Sequence, residues 1–419
     1  MKKIKLFFLK SILFVTISIS AQDFVNVPNV NFKNTLLVNT QINKNNDGEI
    51  SVEEAKSFSG KLDVSNKRIN DLTGIEAFVN IAELDCSVNK ITSLDISSLI
   101  KLRTFICTDN KIKFIDLSKN VKLETLIINK NELAALNTDN LTELKKIDCS
   151  ENVQNIWVLL NNLKRLGKID VSKNEKLEIL YAYDNNTIEL ILPVNSALKE
   201  LVYINNRTDE IDLSNQKMLE KVKITFTGAK DIKLPKNAAN LSDLNVSYNN
   251  LKTLNISNLK GLKKLNCNYN ELVSLNLKNG ANSLIESLSV EGNPNLTCIQ
   301  VDSDNAAIEL QKIVQFISSS QGFTMNFTMS ENCNTTLSVN INEEPTADTF
   351  SVYPNPVNEV LNIETNGAVK NIIVYSIQGV KMYEGTDLAI NTVNFLSGIY
   401  IIEVISEKGK HGVKKFIKN

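Results

Sequence analysis

The segment Asn43-Lys-Asn45-Asn-Asp47-Gly48-Glu49-Ile50-Ser51-Val-Glu-Glu54 spaces its oxygen-bearing side chains for chelation. They fall at positions 1, 3, 5 and 9, with glycine at 6, a hydrophobe at 8 and glutamate at 12. A hard cation such as calcium takes about six to eight oxygens, and this spacing wraps them around one point. Gly48 permits the sharp turn, and Glu54 can bind with both carboxylate oxygens. The residues that would surround the ion are Asn43, Asn45, Asp47, Glu49, Ser51 and Glu54. Asparagine rather than aspartate at position 1 lowers the charge of the set. The alternative is a loop of the same shape closed only by side-chain hydrogen bonds.

Little else is arranged for chemistry. His411 is the one histidine and Trp157 the one tryptophan. A single histidine excludes a His–His metal site and any triad not built on His411, and no nucleophile lies near it. No phosphate loop or nucleophile motif is present, so catalysis is not expected. The formal charge is −1. Loss of a leader containing Lys2, Lys3, Lys5 and Lys10 takes it to −5, which is no footprint for DNA or RNA.

The elements that position these residues come from a repeat. Leu84-Asp-Cys86-Ser-Val-Asn89-Lys-Ile91 is followed 21 residues on by Phe105-Ile-Cys107-Thr-Asp-Asn110-Lys-Ile112, and 21 further by Leu126-Ile-Ile128-Asn-Lys-Asn131-Glu-Leu133. Eleven units start at Leu62, Leu84, Phe105, Leu126, Ile147, Leu180, Leu201, Val222, Leu244, Leu265 and Leu288, with steps of 21 to 23 residues except one of 33. The apolar pair in each is a short strand whose two side chains point the same way. One unit cannot bury that pair, whereas stacked units bury it continuously. The asparagine five places on can serve the backbone of the turn that ends the strand, where unpaired groups would be costly. Units one and eight depart from it with Lys67 and Thr227. The extra residues of the long step, around Trp157-Val-Leu-Leu160, read as a short helix or bulge on the rim, packed under its own loop or framing a site.

These units resemble the leucine-rich repeat in the 21-residue style of Bacteroidota surface proteins, over roughly residues 62 to 301. The resemblance implies a mainly β fold: a right-handed solenoid with a concave parallel sheet, about 50 Å long for eleven strands. Such a coil needs closed ends. At the front, residues 22–60 read as an EF-hand-like cap around the chelating loop, with short helices at 31–42 and 52–59. At the back, 302–333 form a second cap.

The N-terminus, basic from Lys2 to Lys5 and then apolar from Leu6 to Ile19, with Ser20 and Ala21 following, reads as a signal peptide over 1–21. No later stretch could span a bilayer. Cys86, Cys107, Cys149 and Cys267 occupy inward strand positions as small hydrophobes. Cys86 and Cys107 stack as neighbours and could cross-link. In an oxidising setting, Cys298 with Cys333 is the obvious disulfide.

Residues 334–349 read as a linker. From Phe350 onward, strands at 370–376, 380–384, 387–393, 398–405 and 410–418, with turns at Gln378-Gly379, Ser397-Gly398 and Lys408-Gly409, give a small Ig-like β-sandwich. Tyr353-Pro-Asn355-Pro356, Gly379, Leu396-Ser-Gly398-Ile-Tyr400 and the basic end Lys414-Lys-Phe416-Ile-Lys418 resemble the type A sorting domain of the type IX secretion system. The resemblance implies export through the periplasm and across the outer membrane, removal of residues 350–419, and surface attachment or release.

In each unit the residues one and three places after the opening position should face the concave surface. The first row reads Asp85, Ile106, Ile127, Asp148, Tyr181, Val202, Lys223, Asn245, Asn266, Ser289, and the second Ser87, Thr108, Asn129, Ser150, Tyr183, Ile204, Thr225, Ser247, Asn268, Glu291. Most are polar. Tyr181, Tyr183, Val202 and Ile204 form an apolar and aromatic square, and Ile106 with Ile127 a smaller pair; such exposed clusters mark contact sites. The alternative is a satellite core under the loop carrying Trp157. The expected function is a secreted or surface binding protein, such as an adhesin, for a protein or glycan partner. A structural component of the envelope or matrix, with no discrete ligand, is the alternative.

Overall fold

The computed structural model of the protein describes residues 23–152, 166–321, 327–333, 350–365, 367–376, 381–407 and 411–419. The signal peptide, the segment around Trp157, the linker 334–349 and the turns at Gln378-Gly379 and Lys408-Gly409 lie outside the described residues. The chain divides between Cys333 and Asn334 into two compact units.

In the first unit the apolar pairs become an eleven-stranded parallel sheet. Its strands run from Lys61–Asp63 through Glu83–Asp85, Thr104–Ile106, Thr125–Ile127, Lys146–Asp148, Ile179–Tyr181, Glu200–Ile204, Lys221–Thr225, Asp243–Asn245 and Lys264–Asn266 to Ser287–Ser289. Each holds the residue that opens one unit, and those residues pair in register from Leu62↔Leu84 to Leu265↔Leu288. Ile147 pairs directly with Leu180, so the long step leaves and re-enters the coil without breaking the sheet. The opening residues are at most 2% exposed, as are the inward residues two places on through Cys267. Short parallel strands on the other side close the coil, at Lys168–Asp170 with Glu189–Ile191, at Glu210–Asp212 with Asp231–Lys233, and in a third sheet that includes Thr253–Asn255 and Cys298–Gln300.

The asparagines do more than close their own turn. Asn131 Nδ2 donates to Ile128 O of its own strand end and, at 2.7 Å, to Cys107 O of the turn before, while its Oδ1 accepts Ile112 N of that turn at 3.1 Å. The same bridge recurs at Asn89, Asn110, Asn152, Asn249, Asn270 and Asn293. At the two departures, the next turn's asparagine still serves: Asn89 accepts Lys67 N, and Asn249 accepts both Thr227 N and Thr227 Oγ1.

The residue before each asparagine position takes a left-handed backbone, from Asn66 (before Lys67) at φ 54 through Val88 at φ 55 to Gly292 at φ 69. Asparagine and glycine adopt this conformation easily, and a β-branched residue does not. Val88 is 48% exposed and gains little packing in return. Val88→Asn is therefore expected to stabilise the protein by about 1 kcal/mol. A lower denaturant midpoint in the variant would show that the strain argument is wrong.

At the front, helix α1 (Val30–Leu37) is N-capped by Asn29, and α2 (Val52–Ser57) by a capping box in which Ser51 and Glu54 serve each other's backbone. Both are shorter than the sequence suggested. After Leu37 the chain turns back on itself, with Ile42 N and Asn43 N both donating to Asn39 O, and that turn carries Ile42 into the core. At the back, α3 (Asp304–Gln321) buries Ala307, Leu310 and Val314, and the strand Thr328–Ser330 pairs beside Cys298–Gln300. Cys298 is bonded to Cys333, and Cys86, Cys107, Cys149 and Cys267 are buried free thiols.

The second unit is two antiparallel sheets. Phe350–Tyr353, Val360–Thr365 and Ala389–Asn391 form one; Lys381–Gly385, Val369–Ser376, Gly398–Ser406 and His411–Lys418 form the other. Phe350, Leu361, Val374, Tyr400, Ile402 and Phe416 share its core. The first two strands are not legible in the sequence, because the prolines of Tyr353-Pro-Asn-Pro356 mask the alternation around them.

Candidate binding surface

The concave row expected one place after each opening residue is one continuous line of neighbours, from Asp85 paired with Ile106 to Asn266 paired with Ser289. Ile106 pairs with Ile127, and Tyr181 with Val202. All four are half-buried, as are Tyr183 and Ile204. Asp184 N donates to Ile204 O, which keeps Tyr183 beside Ile204 beyond the end of its strand.

Tyr183 is fixed at its polar end, and the Tyr181 ring is held at its face. Tyr183 Oη donates to Glu151 Oε1 at 3.2 Å, and Lys146 Nζ stands 5.8 Å from the centre of the Tyr181 ring. Burial, with Glu200 beside Tyr181 and Asp148 and Glu151 beside Tyr183, pushes both phenols above their ordinary range, so they stay protonated. Their rings are thus presented in set positions, which reduces the ordering cost of a contact.

Behind them the core is polar. Tyr203 fills the inward slot of its unit, fully buried, and its hydroxyl lies 2.6 Å from both Thr187 and Thr208 hydroxyls. Those threonines replace the isoleucine or leucine found seven places into units one to four, at Ile69, Ile91, Ile112 and Leu133. The smaller side chains make room for the ring and satisfy its hydroxyl, as a buried phenol requires.

Most of the polar members of the rows are already in use. Asp85 and Asp148 accept the backbone N–H of Ser87 and Ser150, and Asn245 and Asn266 those of Ser247 and Asn268. These are local turns that fix the strand ends, so the apolar members stand out more than the sequence implied.

A feature absent from the sequence reading lies one place further along. Phe226, Tyr248 and Tyr269, on successive units, stack face to face, with centroids 4.2 and 4.6 Å apart and planes 11° and 15° from parallel. All three are exposed, and all three have a left-handed backbone. Tyr269 Oη donates to Glu291 at 2.6 Å, and its ring covers Gly292, where any Cβ would collide with it. Stacking worth about 0.5–1.5 kcal/mol per pair offsets backbone strain at three aromatic residues. The sequence signal is three aromatics in one repeat slot, four places into units eight to ten, just outside the two slots that face the sheet surface.

The free cysteines offer no nucleophile. Burial pushes the Cys149 and Cys267 thiols up to about 12 and Cys86 well above its usual value. Among the described residues no three His, Cys, Asp or Glu side chains gather as a metal site, and no helix is long and apolar enough to cross a membrane.

In the second unit the first and last motifs of the tail meet. Asn355 Oδ1 accepts Ile417 N at 2.8 Å and its Nδ2 donates to Lys415 O, while Val357 N donates to Ile417 O. The Tyr-Pro-Asn-Pro segment and the basic terminal strand therefore form one surface, although about 60 residues separate them.

Residues 351–419 match the secretion system C-terminal sorting domain family, and residues 37–152 match the leucine-rich-repeat domain of the endo-beta-N-acetylglucosaminidase EndoS. No curated protein matches the chain. Among solved structures it is similar to an internalin, InlF, from Listeria monocytogenes, at 22% identity over 67% of this chain and 92% of that one, with a TM-score of 0.37. It is also similar to InlP of the same organism, at 16% identity over 94% and 99% with a TM-score of 0.41, and to YopM from Yersinia enterocolitica, at 23% over 58% and 49% with a TM-score of 0.39. The fold itself rests on the strand register. Eleven stacked turns and a matched tail make the chain a leucine-rich-repeat protein with a type IX secretion sorting domain, exported to the cell surface or beyond it.

Proposed function

We propose that the exported repeat unit is a binding protein, in the manner of an adhesin, whose eleven-stranded sheet recognises a protein or glycan partner. Tyr181, Tyr183, Val202 and Ile204 are the anchor, and Ile106 with Ile127 a second contact. The observation that carries this reading is the placement of four half-exposed apolar and aromatic side chains on two adjacent strands, within a row whose polar members are mostly tied into their own turns. Tyrosine fixed at its polar end suits a hot spot. No catalytic domain is among the families matched, and the tail would engage the secretion machinery.

The test is capture from a glycan array and from candidate host or bacterial surface proteins, comparing the native protein with Tyr181→Ser/Tyr183→Ser. Loss of two anchors should weaken capture at least tenfold at unchanged fold. Equal capture, with only the melting temperature lowered, would assign the square to stability alone. Self-assembly of the purified protein without a ligand would turn the reading toward an envelope or matrix component.

A further inference from the structure

We propose that the N-terminal cap holds one calcium ion in the loop 43–54, a site independent of the binding surface. The loop joins α1 to α2, and Gly48 at its sixth position has φ +85 with open space around it, so the backbone, not crowding, requires glycine. Asn43, the first position, is 4% exposed. Its Nδ2 donates to Leu37 O at 3.2 Å, which fixes the amide's orientation and leaves Oδ1 buried with no donor. A buried acceptor without a partner is costly, and a cation coordinated there would remove the deficit.

The rest of the loop supplies a matching set. Glu54, 8% exposed, spans the loop: one oxygen accepts Lys44 N at 3.0 Å, the other Ser51 N at 2.9 Å and Ser51 Oγ at 2.8 Å. Asp47 accepts Glu49 N and the Asn45 amide. Glu49 sends its carboxylate to Lys33 at 2.7 Å, so its own share is the backbone carbonyl. Two carboxylates, two amide oxygens, a hydroxyl and a carbonyl are all hard oxygen donors, which favours calcium over transition metals.

A single loop of this kind usually leans on a second. Here Val25 N donates to Ile50 O and Val52 N to Asp23 O, both at 2.8 Å, so the segment 23–25 supports the loop in place of a partner hand. Val25 and Val27 belong to the solenoid core cluster, so an ion in the loop would brace the end of the coil. The low charge of the set points to the weaker end of the range, a dissociation constant of about 0.1–1 mM.

The experiment titrates chelator-treated full-length protein with calcium chloride by calorimetry and repeats thermal unfolding in calcium, magnesium and EDTA. One site in the stated range is expected, with a melting temperature raised by calcium and not by equal magnesium. Glu54→Gln keeps one oxygen for the capping box but sets an NH2 against a backbone N–H that the carboxylate now accepts, so it should melt lower than the native protein in EDTA, gain little from added calcium, and bind calcium more than tenfold more weakly. Asp47→Asn, on the exposed turn, should weaken binding in the same direction and stands in if the glutamine variant does not fold. No heat of binding and identical melting in calcium and EDTA would overturn the proposal, as would a native calcium response in both variants.

Discussion

Asn131→Ala should lower the stability of the repeat unit by about 3 kcal/mol or more. The replacement strips Ile112 N of its acceptor and Cys107 O of the amide donor, while Ile128 O keeps the Asn152 amide. Each buried backbone group left unpaired costs about 1–3 kcal/mol. Asn131 is 4% exposed, so bulk water does not reach the gap freely. In a stack where each turn touches only its neighbours, weakening one junction also divides the array. Denaturant unfolding should show a lower midpoint, and a broader transition if the two sides separate. Lys130→Ala, on the exposed neighbouring residue, should change little. A loss below about 1 kcal/mol for Asn131→Ala would mean that a single water can replace the amide, and that side-chain stapling is not what joins the turns.

The sequence made the large-scale plan readable because a solenoid repeats one physical problem. Leu84, Phe105 and Leu126 are spaced by the circumference of the coil, so the sheet, its register and the rows on its face follow from counting. The asparagine could be assigned to backbone service from its position alone. Its reach into the preceding turn could not, because that depends on how far one coil sits from the next. The same limit hid the stacked rings of Phe226, Tyr248 and Tyr269. Whether residues in one slot touch depends on the left-handed backbone there, which turns the side chains into line. The polar core beneath the tyrosine surface was hidden for another reason. Tyr203, Thr187 and Thr208 each look like an isolated exception, and only their 2.6 Å contacts show that they compensate one another. In the tail, Asn355 and Ile417 were separate motif residues until strand pairing placed them within one hydrogen bond.

Removing the Cys298–Cys333 disulfide, as Cys298→Ala/Cys333→Ala or by reduction, should produce the second large effect, and a local one. The bond closes a segment 35 residues long, for which loop-closure entropy gives a stabilisation of about 3–4 kcal/mol. The segment contains α3, whose buried face is limited to Ala307, Leu310 and Val314 among the described side chains, and a three-residue strand bonded to the last turn of the coil. Those contacts are few for an element that must cover the open end of the core. Once the tether is gone, 304–330 should exchange its amide hydrogens far faster, while strands near Leu84 to Ile147 keep their protection. Reduction acts on this bond alone, since the other four cysteines are free thiols, so the reduced native protein and the alanine variant should behave alike. Uniform loss of protection across the whole coil would show that the end cap and the repeats unfold as one unit. No loss anywhere would show that packing of α3 alone closes the solenoid.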